Sequence, residues 1–357
     1  MKKILMMGLT PPVEGGSERH IYEISSRIPE SFVFTQKNSI CQNKVTVPIY
    51  KKNNFFRNIL FLLTSFVYSI VLLITPVKKY DLIHIHENLL YFLTPILKLR
   101  YKVIITVHGI SGFRFFDNKL IWPAFRYCLS RANKIISVSV ADVDNLKKEI
   151  ENIKYIPNGV DLEFYSKIKP LKVQKKITFI GRIHKQKGTS NLLKAFQTFS
   201  KKYPGYNLQI IGKKEGNLYH ELKTKYKSDK IIWKGFVSDR RILFKEASSS
   251  YLLVFPSIWE ALPWPALLEG LGSGRPVIAS DLPGMRKIFK DNTNIVLVKP
   301  SSVESLEKAL IAMAKSPKKA NQIGRNGKKT AKKYEWSKIA LEVQNLYNTV
   351  LSDKRVK

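Results

Sequence analysis

Short aliphatic runs alternate with stretches of helical periodicity along almost the whole chain. In the first half, such runs predict strands at residues 3–9, 82–86, 103–107, 134–138 and 154–156. The second half repeats the pattern, with strands predicted at residues 177–180, 207–211, 231–233, 251–255, 276–279 and 295–298. Helical patterns lie between these strands. This alternation is typical of βαβ units and predicts an α/β fold with parallel sheets.

The chain of 357 residues is long enough for two domains of ordinary size. A basic, turn-rich stretch at residues 169–176 separates the two series of strands. The predicted domains are therefore residues 1–170 and 171–333. The last segment, residues 334–357, has the apolar spacing of an amphipathic helix. We expect this helix to pack back onto the N-terminal domain.

One segment departs from the pattern, because residues 58–77 are all uncharged and are bounded by Arg57 and Lys78. A helix of that length rises about 30 Å, enough to cross the apolar core of a bilayer. A spanning helix would, however, put the strands predicted on either side of it on opposite faces of a membrane. Basic residues also flank both ends rather than one. We expect a buried or interfacial helix, with a spanning helix as the alternative.

The chain is strongly basic, with 61 Lys and Arg against 27 Asp and Glu and a formal charge of +34. Such a surface attracts polyanions, which could be nucleic acid, anionic lipid or phosphorylated small molecules. No nucleic-acid-binding module is recognisable, so an anionic membrane surface ranks first and no nucleic-acid partner is expected.

The cysteine pattern and the N-terminus indicate the compartment. Cys41 and Cys128 lack the spacing of a disulfide framework or a zinc site, which favours a reducing compartment. The N-terminal apolar run is too short for a signal-peptide core. We expect a cytoplasmic protein that is peripheral on the inner face of the membrane.

The first candidate site is the glycine pair Gly15 and Gly16, between the first predicted strand and a helix predicted at about residues 17–28. Glycines allow close approach of a ligand to the backbone, and a helix N-terminus offers free N–H groups to a phosphate. A tight turn without a ligand explains the pair equally well.

The second candidate site follows the first strand of the second domain and contains Gly181, Arg182, Lys187 and Gly188. Ligands of open α/β sheets bind at this end of the strands, so the two cations would converge on an entering ligand. A diphosphate suits this pair, since Arg binds phosphate oxygens bidentately and both cations offset the charge of a leaving phosphate. The alternative is an exposed basic loop.

The third candidate site places Glu260 and Glu269 inside an otherwise apolar run at residues 256–280. An unpaired carboxylate is costly in such surroundings, so each acid needs a partner. The hydroxyls of a ribose are natural partners for one of them. In the structural alternative, Glu269 pairs with a basic residue.

These motifs, in this order, resemble those of glycosyltransferase family 4 across nearly the whole chain. The resemblance rests on Gly15-Gly16, Val107-His108-Gly109, the segment at residues 156–161, Gly181-Arg182 with Lys187-Gly188, and the Glu260/Glu269 block. It implies the GT-B fold, with two Rossmann-like, doubly wound α/β domains facing a central cleft. It also implies a metal-independent transferase that retains anomeric configuration and binds its nucleotide mainly in the C-terminal domain.

The resemblance assigns roles by position. Arg182 and Lys187 would hold the donor diphosphate, Glu269 the ribose, and Gly16 the phosphates from the opposite wall. The residues predicted to bind the donor are Gly15, Gly16, Gly181, Arg182, Lys187 and Glu269.

The predicted catalytic residues are His108, Arg182, Lys187 and Glu260. His108 would contact the transferred sugar. Family members usually have seven residues between the two glutamates, whereas eight separate Glu260 from Glu269 here. Either the intervening prolines bulge the loop and keep both acids in place, or Glu260 no longer reaches the donor sugar.

The expected reaction is attack of an acceptor hydroxyl on the anomeric carbon, on the face that the diphosphate leaves, with the departing phosphate taking the proton. The donor is expected to be a nucleotide-diphosphate sugar, with no separate cofactor and no metal, since basic residues take the place of a metal ion at the diphosphate. The acceptor is expected to be a growing surface glycan, lipid-linked or polysaccharide. The alternatives are a catalytically impaired nucleotide-sugar or polyanion-binding protein of the same fold, and a nucleic-acid-binding protein.

Overall fold

The computed structural model describes residues 2–13, 15–48, 54–109, 121–169 and 171–353, except for the side chains of residues 54 and 55. The chain divides into two compact units. The first consists of Met1–Asn158 together with Trp336–Lys357, and the second is Gly159–Glu335. Each unit contains one sheet whose strands pair in parallel, flanked by helices. The predicted fold class, two doubly wound α/β domains, is confirmed.

The first unit contains seven strands in the order β3-β2-β1-β4-β5-β6-β7. These strands are β1 (Ile4–Met7), β2 (Ser31–Gln36), β3 (Lys44–Val47), β4 (Leu82–Ile85), β5 (Lys102–Val107), β6 (Lys134–Ser137) and β7 (Ile153–Tyr155). The helices before the chain enters the second unit are α1 (Gly16–Ser25), α2 (Asn54–Ile74), α3 (Thr94–Leu97), α4 (Ile121–Ser130) and α5 (Val140–Leu146).

The second unit contains six strands in the order β10-β9-β8-β11-β12-β13. They are β8 (Lys176–Ile180), β9 (Asn207–Ile211), β10 (Ile231–Gly235), β11 (Leu252–Phe255), β12 (Val277–Ser280) and β13 (Val296–Val298). The helices are α6 (Leu162–Ser166), α7 (Thr189–Lys202), α8 (Leu218–Lys225), α9 (Arg240–Ser248), α10 (Pro265–Gly272), α11 (Met285–Ile288), α12 (Val303–Lys315) and α13 (Pro317–Ala331).

Both sheets reverse their strand order once, which fixes where a ligand can enter. The reversal lies between β1 and β4 in the first unit and between β8 and β11 in the second. At such a point the loops from the carboxyl ends of neighbouring strands lead to opposite faces of the sheet and leave a crevice. A ligand-binding site is therefore expected on the loops that follow these four strands.

The division between the units falls at Asn158 and Gly159, twelve residues before the predicted boundary at residue 170, which itself lies outside the described residues. The physical reason is packing: Val160, Leu162 and Tyr165 are buried in the same apolar cluster as Leu271 of the second unit. The N–H of Val160 also donates to the carbonyl of Tyr334, at 2.7 Å. A basic, turn-rich stretch marks a loop but does not reveal which core takes the residues before it.

The C-terminal helix α14 (Trp336–Ser352) returns to the first unit. Its buried residues Trp336, Val343 and Tyr347 share an apolar cluster with Ile4 of β1 and Ile21 of α1. Residues 354–357 of the predicted C-terminal segment lie outside the described residues. The packing of α14 covers one face of the first sheet.

Helix α2 is the one helix among the described residues that is long and apolar enough to cross a membrane, judged by length and composition only. It packs one face against the first sheet, where Phe61 and Leu72 are buried in the core. Only 22% of its most apolar window is buried. Helix α2 is therefore not the buried core helix that was one of the sequence-based expectations.

Candidate active site

In the second unit, two loops meet at the point where the strand order reverses. The segment Gly181–Gly188 follows β8, and the segment Pro256–Glu260 follows β11, the strand hydrogen-bonded to β8. Because the carboxyl ends of parallel strands lie at one edge of a sheet, these loops are neighbours despite a separation of more than sixty residues. The sequence-predicted residues Gly181, Arg182, Lys187 and Glu260 all lie on them.

Hydrogen bonds fix the two loops against one another. The carbonyl of Gln186 accepts from the N–H of Ile258 at 2.7 Å, and the Gln186 amide donates to the carbonyl of Trp259 at 3.0 Å. Gly188 has a left-handed backbone (φ 67°), and a Cβ added there would lie 1.9 Å from the carbonyl oxygen of Pro256. Only glycine combines that conformation with that approach. The turn is therefore a rigid support for the side chain that precedes it.

That side chain is Lys187, whose ammonium forms an ion pair with the carboxylate of Glu260. Both groups are largely buried, with side-chain exposures of 15% and 8%. The hydroxyl of Ser257 donates a further hydrogen bond to Glu260, at 2.9 Å. Glu260 thus lies beside the predicted diphosphate-binding lysine, although eight residues separate it from Glu269.

Arg182 lies on the same loop but is more open, with 52% of its side chain exposed. Its guanidinium forms an ion pair with Glu215 at 3.1 Å and donates to Gln186 Oε1 at 3.4 Å. Gly181 is the first residue after β8, and its N–H donates to the carbonyl of Ile211 at 3.0 Å. The strand end thus carries two basic side chains, one largely buried and one exposed.

Glu269 lies on α10 and has partners of its own. The Tyr165 hydroxyl donates to Glu269 Oε1 at 2.7 Å, and the Arg240 guanidinium lies 3.5 Å from the same oxygen. Tyr165 is stacked on Phe244 with ring centroids 4.4 Å apart, which holds its hydroxyl in place. Glu269 is thus held in one orientation, and the pairing with a basic residue anticipated as the structural alternative is present.

Sequence reasoning missed Tyr165 and Arg240. Arg240 also lies 3.7 Å from Asp161 and stacks over the ring of Phe164 at 5.2 Å. The contacts of Glu269 with Tyr165 and Arg240 span 104 and 29 positions of sequence. Neither residue stands out in its local pattern, so no sequence signal could have identified them.

In the first unit, four histidines gather around the carboxyl ends of β1, β4 and β5. His86 Nδ1 and His108 Nε2 are 3.2 Å apart, and the His20 ring lies edge-on to His108 at 5.0 Å between centroids. His84 contacts the Tyr347 hydroxyl at 2.6 Å. His108, the predicted sugar contact, is therefore one member of a packed group of imidazoles.

Burial keeps this group neutral. It lowers the pKa of His20 to about 4 and the pKa values of His84, His86 and His108 well below their usual range. The Nε2 atoms of His20 and His86 are buried with no hydrogen-bond partner within the described residues. Neutral imidazoles that are not already paired can donate to or accept from the hydroxyls of a sugar.

The glycine pair lies at the start of α1, as predicted, with Gly15 as the N-cap and Gly16 as the first helical residue. A Cβ added at Gly16 would meet nothing within 4 Å, whereas one at Gly15 would meet the carboxylate of Glu18. The space over Gly16 is open to a ligand. An acidic side chain, Glu18, nevertheless lies in this first turn.

A second carboxyl lies close by, on Glu87 at the end of β4, where it accepts from the N–H of Leu9 at 3.2 Å. Burial, followed by the nearby charge of Glu18, raises the pKa of Glu87 to about 7. Sequence reasoning did not select this residue. A protonated carboxyl here is a hydrogen-bond donor as well as an acceptor.

Comparison with known proteins extends the motif evidence. Residues 14–164 match the family model described as Glycosyltransferase Family 4, and residues 162–330 match the model described as Glycosyl transferases group 1. An uncharacterised glycosyltransferase of Methanocaldococcus jannaschii is 27% identical over 98% of this chain and 99% of its own. The UDP-Gal:alpha-D-GlcNAc-diphosphoundecaprenol alpha-1,3-galactosyltransferase of Escherichia coli is 27% identical over 66% of each chain.

Among solved structures, the HepE protein of Anabaena in complex with UDP-glucose is similar with a TM-score of 0.78 at 16% identity. The match covers 98% of this chain and 100% of that one, which supports the likeness in fold. The two family models together cover almost all of both units, and their order along the chain is that of the two sheets. The chain therefore belongs to glycosyltransferase family 4 and has the GT-B fold.

Proposed function

We propose that this glycosyltransferase moves a hexose from a nucleotide-diphosphate donor to a hydroxyl of a growing surface glycan, lipid-linked or polysaccharide, with retention of configuration. The observation that carries the proposal is the largely buried pair of Lys187 and Glu260 at the reversal point of the second sheet. An ammonium held at a strand end by a carboxylate is a preorganised cation, which is what a departing diphosphate requires.

The named relatives support the donor and acceptor classes. The Escherichia coli enzyme is named for a UDP-sugar donor and a diphosphoundecaprenol-linked acceptor, and the Anabaena protein was solved with UDP-glucose. Carried to this chain, these names favour a nucleotide sugar as donor and a lipid-linked glycan as acceptor.

In the proposed reaction, the acceptor oxygen bonds to the anomeric carbon on the face from which the diphosphate departs. The bond from the anomeric carbon to the leaving phosphate oxygen breaks, and that phosphate takes the acceptor proton. Lys187 and Arg182 offset the charge that grows on the diphosphate. No covalent bond to the protein forms, so the protein contributes positioning and charge.

Two further groups position the substrates in this proposal. The contacts of Tyr165 and Arg240 both go to Oε1 of Glu269, which leaves Oε2 to accept from a ribose hydroxyl. In the first unit, the unpaired imidazole nitrogens of His20 and His86 lie beside His108 and suit sugar hydroxyls. Gly16 leaves room for the donor phosphates, and Gly15 and Gly181 are assigned to them by their backbone.

We place the enzyme in the cytoplasm, peripheral on the inner face of the membrane, where a lipid-linked acceptor is accessible to it. The net charge of +34 supports attraction to anionic lipid, and no nucleic-acid partner is proposed. Since basic side chains supply the positive charge at the leaving group, the reaction requires no metal ion and no cofactor.

The test is a transfer assay with the purified full chain, a panel of nucleotide-diphosphate hexoses and lipid-linked glycan acceptors extracted from bacterial membranes. We expect one donor to be consumed in step with a glycosylated product, at a rate that chelating agents do not change. Nuclear magnetic resonance of the product should show the anomeric configuration of the donor. An inverted product would refute retention, and an absence of binding to every nucleotide sugar would refute the donor assignment.

A further inference from the structure

Helix α2 presents its apolar side to solvent from Phe56 to Ile74. Six large apolar residues recur at helical spacing and are each at least 44% exposed: Phe56, Leu60, Leu63, Val67, Val71 and Ile74. We call these six residues the outer face of α2. The spacing places them in one continuous stripe about 28 Å long, since a helix rises 1.5 Å per residue.

The opposite side of α2 is narrower and more polar. Phe61, Ser65, Ser69 and Leu72 are buried there, and Tyr68 stacks on Phe34 of β2 with centroids 4.6 Å apart. A surface helix of a water-soluble protein normally turns its apolar stripe inward and its polar residues outward. In α2 the larger apolar stripe points away from the sheet.

The hydroxyls of α2 do not oppose transfer into an apolar phase. Thr64, Ser65 and Ser69 donate to the carbonyls of Leu60, Phe61 and Ser65, at 2.8, 2.6 and 2.7 Å. A hydroxyl bonded within its own helix carries little further desolvation cost.

The C-terminal end of the helix is also satisfied, by Arg100. Its guanidinium donates to the carbonyls of Leu72, Leu73 and Pro76, at 3.1, 2.8 and 3.1 Å. The last carbonyls of a helix otherwise have no internal partner. The carbonyls of Leu72 and Leu73 at this end of α2 are therefore paired, which lowers the cost of bringing it to an apolar phase.

The charges around α2 identify what would cover it. The segment from residue 31 to residue 80 contains no aspartate or glutamate, and Arg57, Lys78 and Lys79 flank the helix. At its C-terminal end, the Arg100 guanidinium lies against the carbonyls of Leu72 and Leu73. The Lys78 ammonium lies over the ring of Tyr101 at 5.4 Å. Cations around an apolar stripe complement an anionic lipid surface.

We propose that the outer face of α2 lies flat in the boundary between headgroups and acyl chains of an anionic bilayer, with the flanking cations on the lipid headgroups. The helix lies in the plane rather than across it, because β3 and β4, which it connects, belong to the same sheet. This inference specifies the surface for the membrane association proposed above. It rests on the contacts of α2 and on no property of the donor site.

The first experiment is co-sedimentation of the full chain with vesicles of phosphatidylcholine alone or mixed with phosphatidylglycerol. We expect binding to the anionic vesicles, weakened by salt, and little binding to the neutral ones. The double variant Leu63→Glu/Val67→Glu should lose about tenfold or more in vesicle affinity. The matched control is Leu341→Glu on α14, which replaces another exposed leucine of the same unit and should bind as the parent does.

A second measurement tests orientation. A fluorescent label on Phe56→Cys and, separately, on Ile74→Cys should be quenched from outside the vesicles at both positions if the helix lies flat. A spanning helix would protect one of the two. Light scattering tests whether a second copy of the chain covers the outer face of α2 instead of lipid. A dimer that dissociates in the Leu63→Glu/Val67→Glu variant would overturn the lipid assignment.

The result that overturns the proposal is unchanged vesicle binding by a folded Leu63→Glu/Val67→Glu variant, or equal binding to neutral and anionic vesicles. Thermal unfolding checks that the variant is folded. Transfer to a detergent-solubilised acceptor separates the two proposals. If the Leu63→Glu/Val67→Glu variant loses vesicle binding but keeps transfer, the outer face of α2 binds the membrane and takes no part in the reaction. If the parent binds vesicles but shows no transfer, only the proposed reaction is refuted.

Discussion

At the residue scale, the Lys187 ammonium is the group on which the proposed chemistry depends most. We expect Lys187→Ala to lower kcat on the order of 10²–10³, as for removal of other preorganised donors to a growing anion. Lys185→Ala is the matched control, because that lysine lies on the same turn and is exposed. A product assay at saturating donor measures the effect.

The same substitution leaves Glu260 as a largely buried, unpaired carboxylate, so lower stability is expected as well. The double variant Lys187→Ala/Glu260→Gln removes that charge and should recover part of the melting temperature without recovering turnover. If Lys187→Ala kept full activity, or if the double variant were as active as the parent, Lys187 would not be the leaving-group cation.

The buried histidines make a prediction about pH. In the unfolded chain they bind protons below about pH 6.5, whereas the folded pKa of His20 is about 4 and those of His84, His86 and His108 are also depressed. The unfolded state therefore binds more protons in this window, and stability falls as the pH is lowered through it. The His20 contribution is on the order of 3 kcal/mol by pH 4.

Glu87 works in the opposite direction, because its raised pKa gives stability that is present below about pH 4.5 and lost as the pH rises through about 7. The histidines outnumber it, so the net slope should be positive between pH 4 and 6.5. Denaturant unfolding at several pH values measures the slope, and His20→Gln should make it shallower. An unchanged slope in that variant would show that His20 does not stay neutral in the fold.

The second unit contains both site residues that the sequence predicts and a site residue that depends on tertiary packing. Lys187 was selected on the loop after a predicted strand and Glu260 as a carboxylate inside an apolar run, and the family resemblance assigned both a catalytic role. Parallel strands bring the two loops together. Tyr165 was not selected, because its bond to Glu269 depends on how α6 packs, which local pattern does not encode. The catalytic and donor-binding roles assigned to the eight selected residues stay predictions, and the variants above test those of Lys187 and Glu260.

At the scale of elements, the contact between the loops after β8 and β11 depends on a glycine. We expect Gly188→Ala to lower both stability and turnover, because its Cβ would collide with the backbone of Pro256 and push the loops apart. Gly216→Ala is the control: it has a similar left-handed backbone (φ 57°) but open space around its Cβ position. Its cost should be confined to the conformational strain, about 1–2 kcal/mol.

Chemical unfolding together with donor titration distinguishes the two variants. The Gly188→Ala variant should lose donor affinity, and the Gly216→Ala variant should keep it. Equal losses of stability, with donor affinity intact in both, would mean that the close approach of the two loops does not hold the site.

The strands were predictable where burial on both faces produces an aliphatic run, as in β4, β5 and β9. Strand β2 was not predicted, because polar residues at both ends leave an apolar run of only three residues, Phe32 to Phe34. Thr35 and Gln36 are buried there through hydrogen bonds to Thr10, at 3.0 Å between the two hydroxyls and 2.5 Å from the Gln36 amide to the Thr10 carbonyl. These hydrogen bonds join residues that are distant in sequence, so the local pattern of apolar and polar positions does not predict them.

Helix α13 was missed for a related reason. It is rich in lysine and contains Gly324 and Gly327, residues that weaken a helix in isolation. In the fold these glycines allow close packing, since a Cβ at Gly324 would lie 2.4 Å from the carbonyl oxygen of Gly274. Tertiary contact therefore overrides local propensity here.

At the scale of the whole molecule, the chain begins in one unit, builds the second and returns to the first through α14. The amphipathic pattern of the last segment predicted a helix. The surface on which this helix packs is the apolar cluster of the first unit that contains Ile4 and Ile21. Two cores of this kind need not unfold together, so a single unfolding transition is not expected.

This independence gives the last prediction. If the nucleotide is bound mainly by the second unit, UDP or another matching nucleoside diphosphate should stabilise Gly159–Glu335 far more than the first unit. At about 100 times its dissociation constant, the ligand adds about 2.7 kcal/mol to the unit that binds it. Hydrogen exchange resolved by peptide should then show slower exchange in β8 to β13, with β1 to β7 little changed.

Lys187→Ala should weaken the protection at a fixed nucleotide concentration without changing the exchange of the first unit, because the diphosphate loses its buried cation. Arg241→Ala is a suitable control, since Arg241 on α9 is exposed and pairs with Asp239, the N-cap residue of that helix. Equal protection of both units by the bare diphosphate would contradict the assignment of the nucleotide to the second sheet. It would instead mean that Gly15 and Gly16 contribute as much to binding of the diphosphate as Lys187 does.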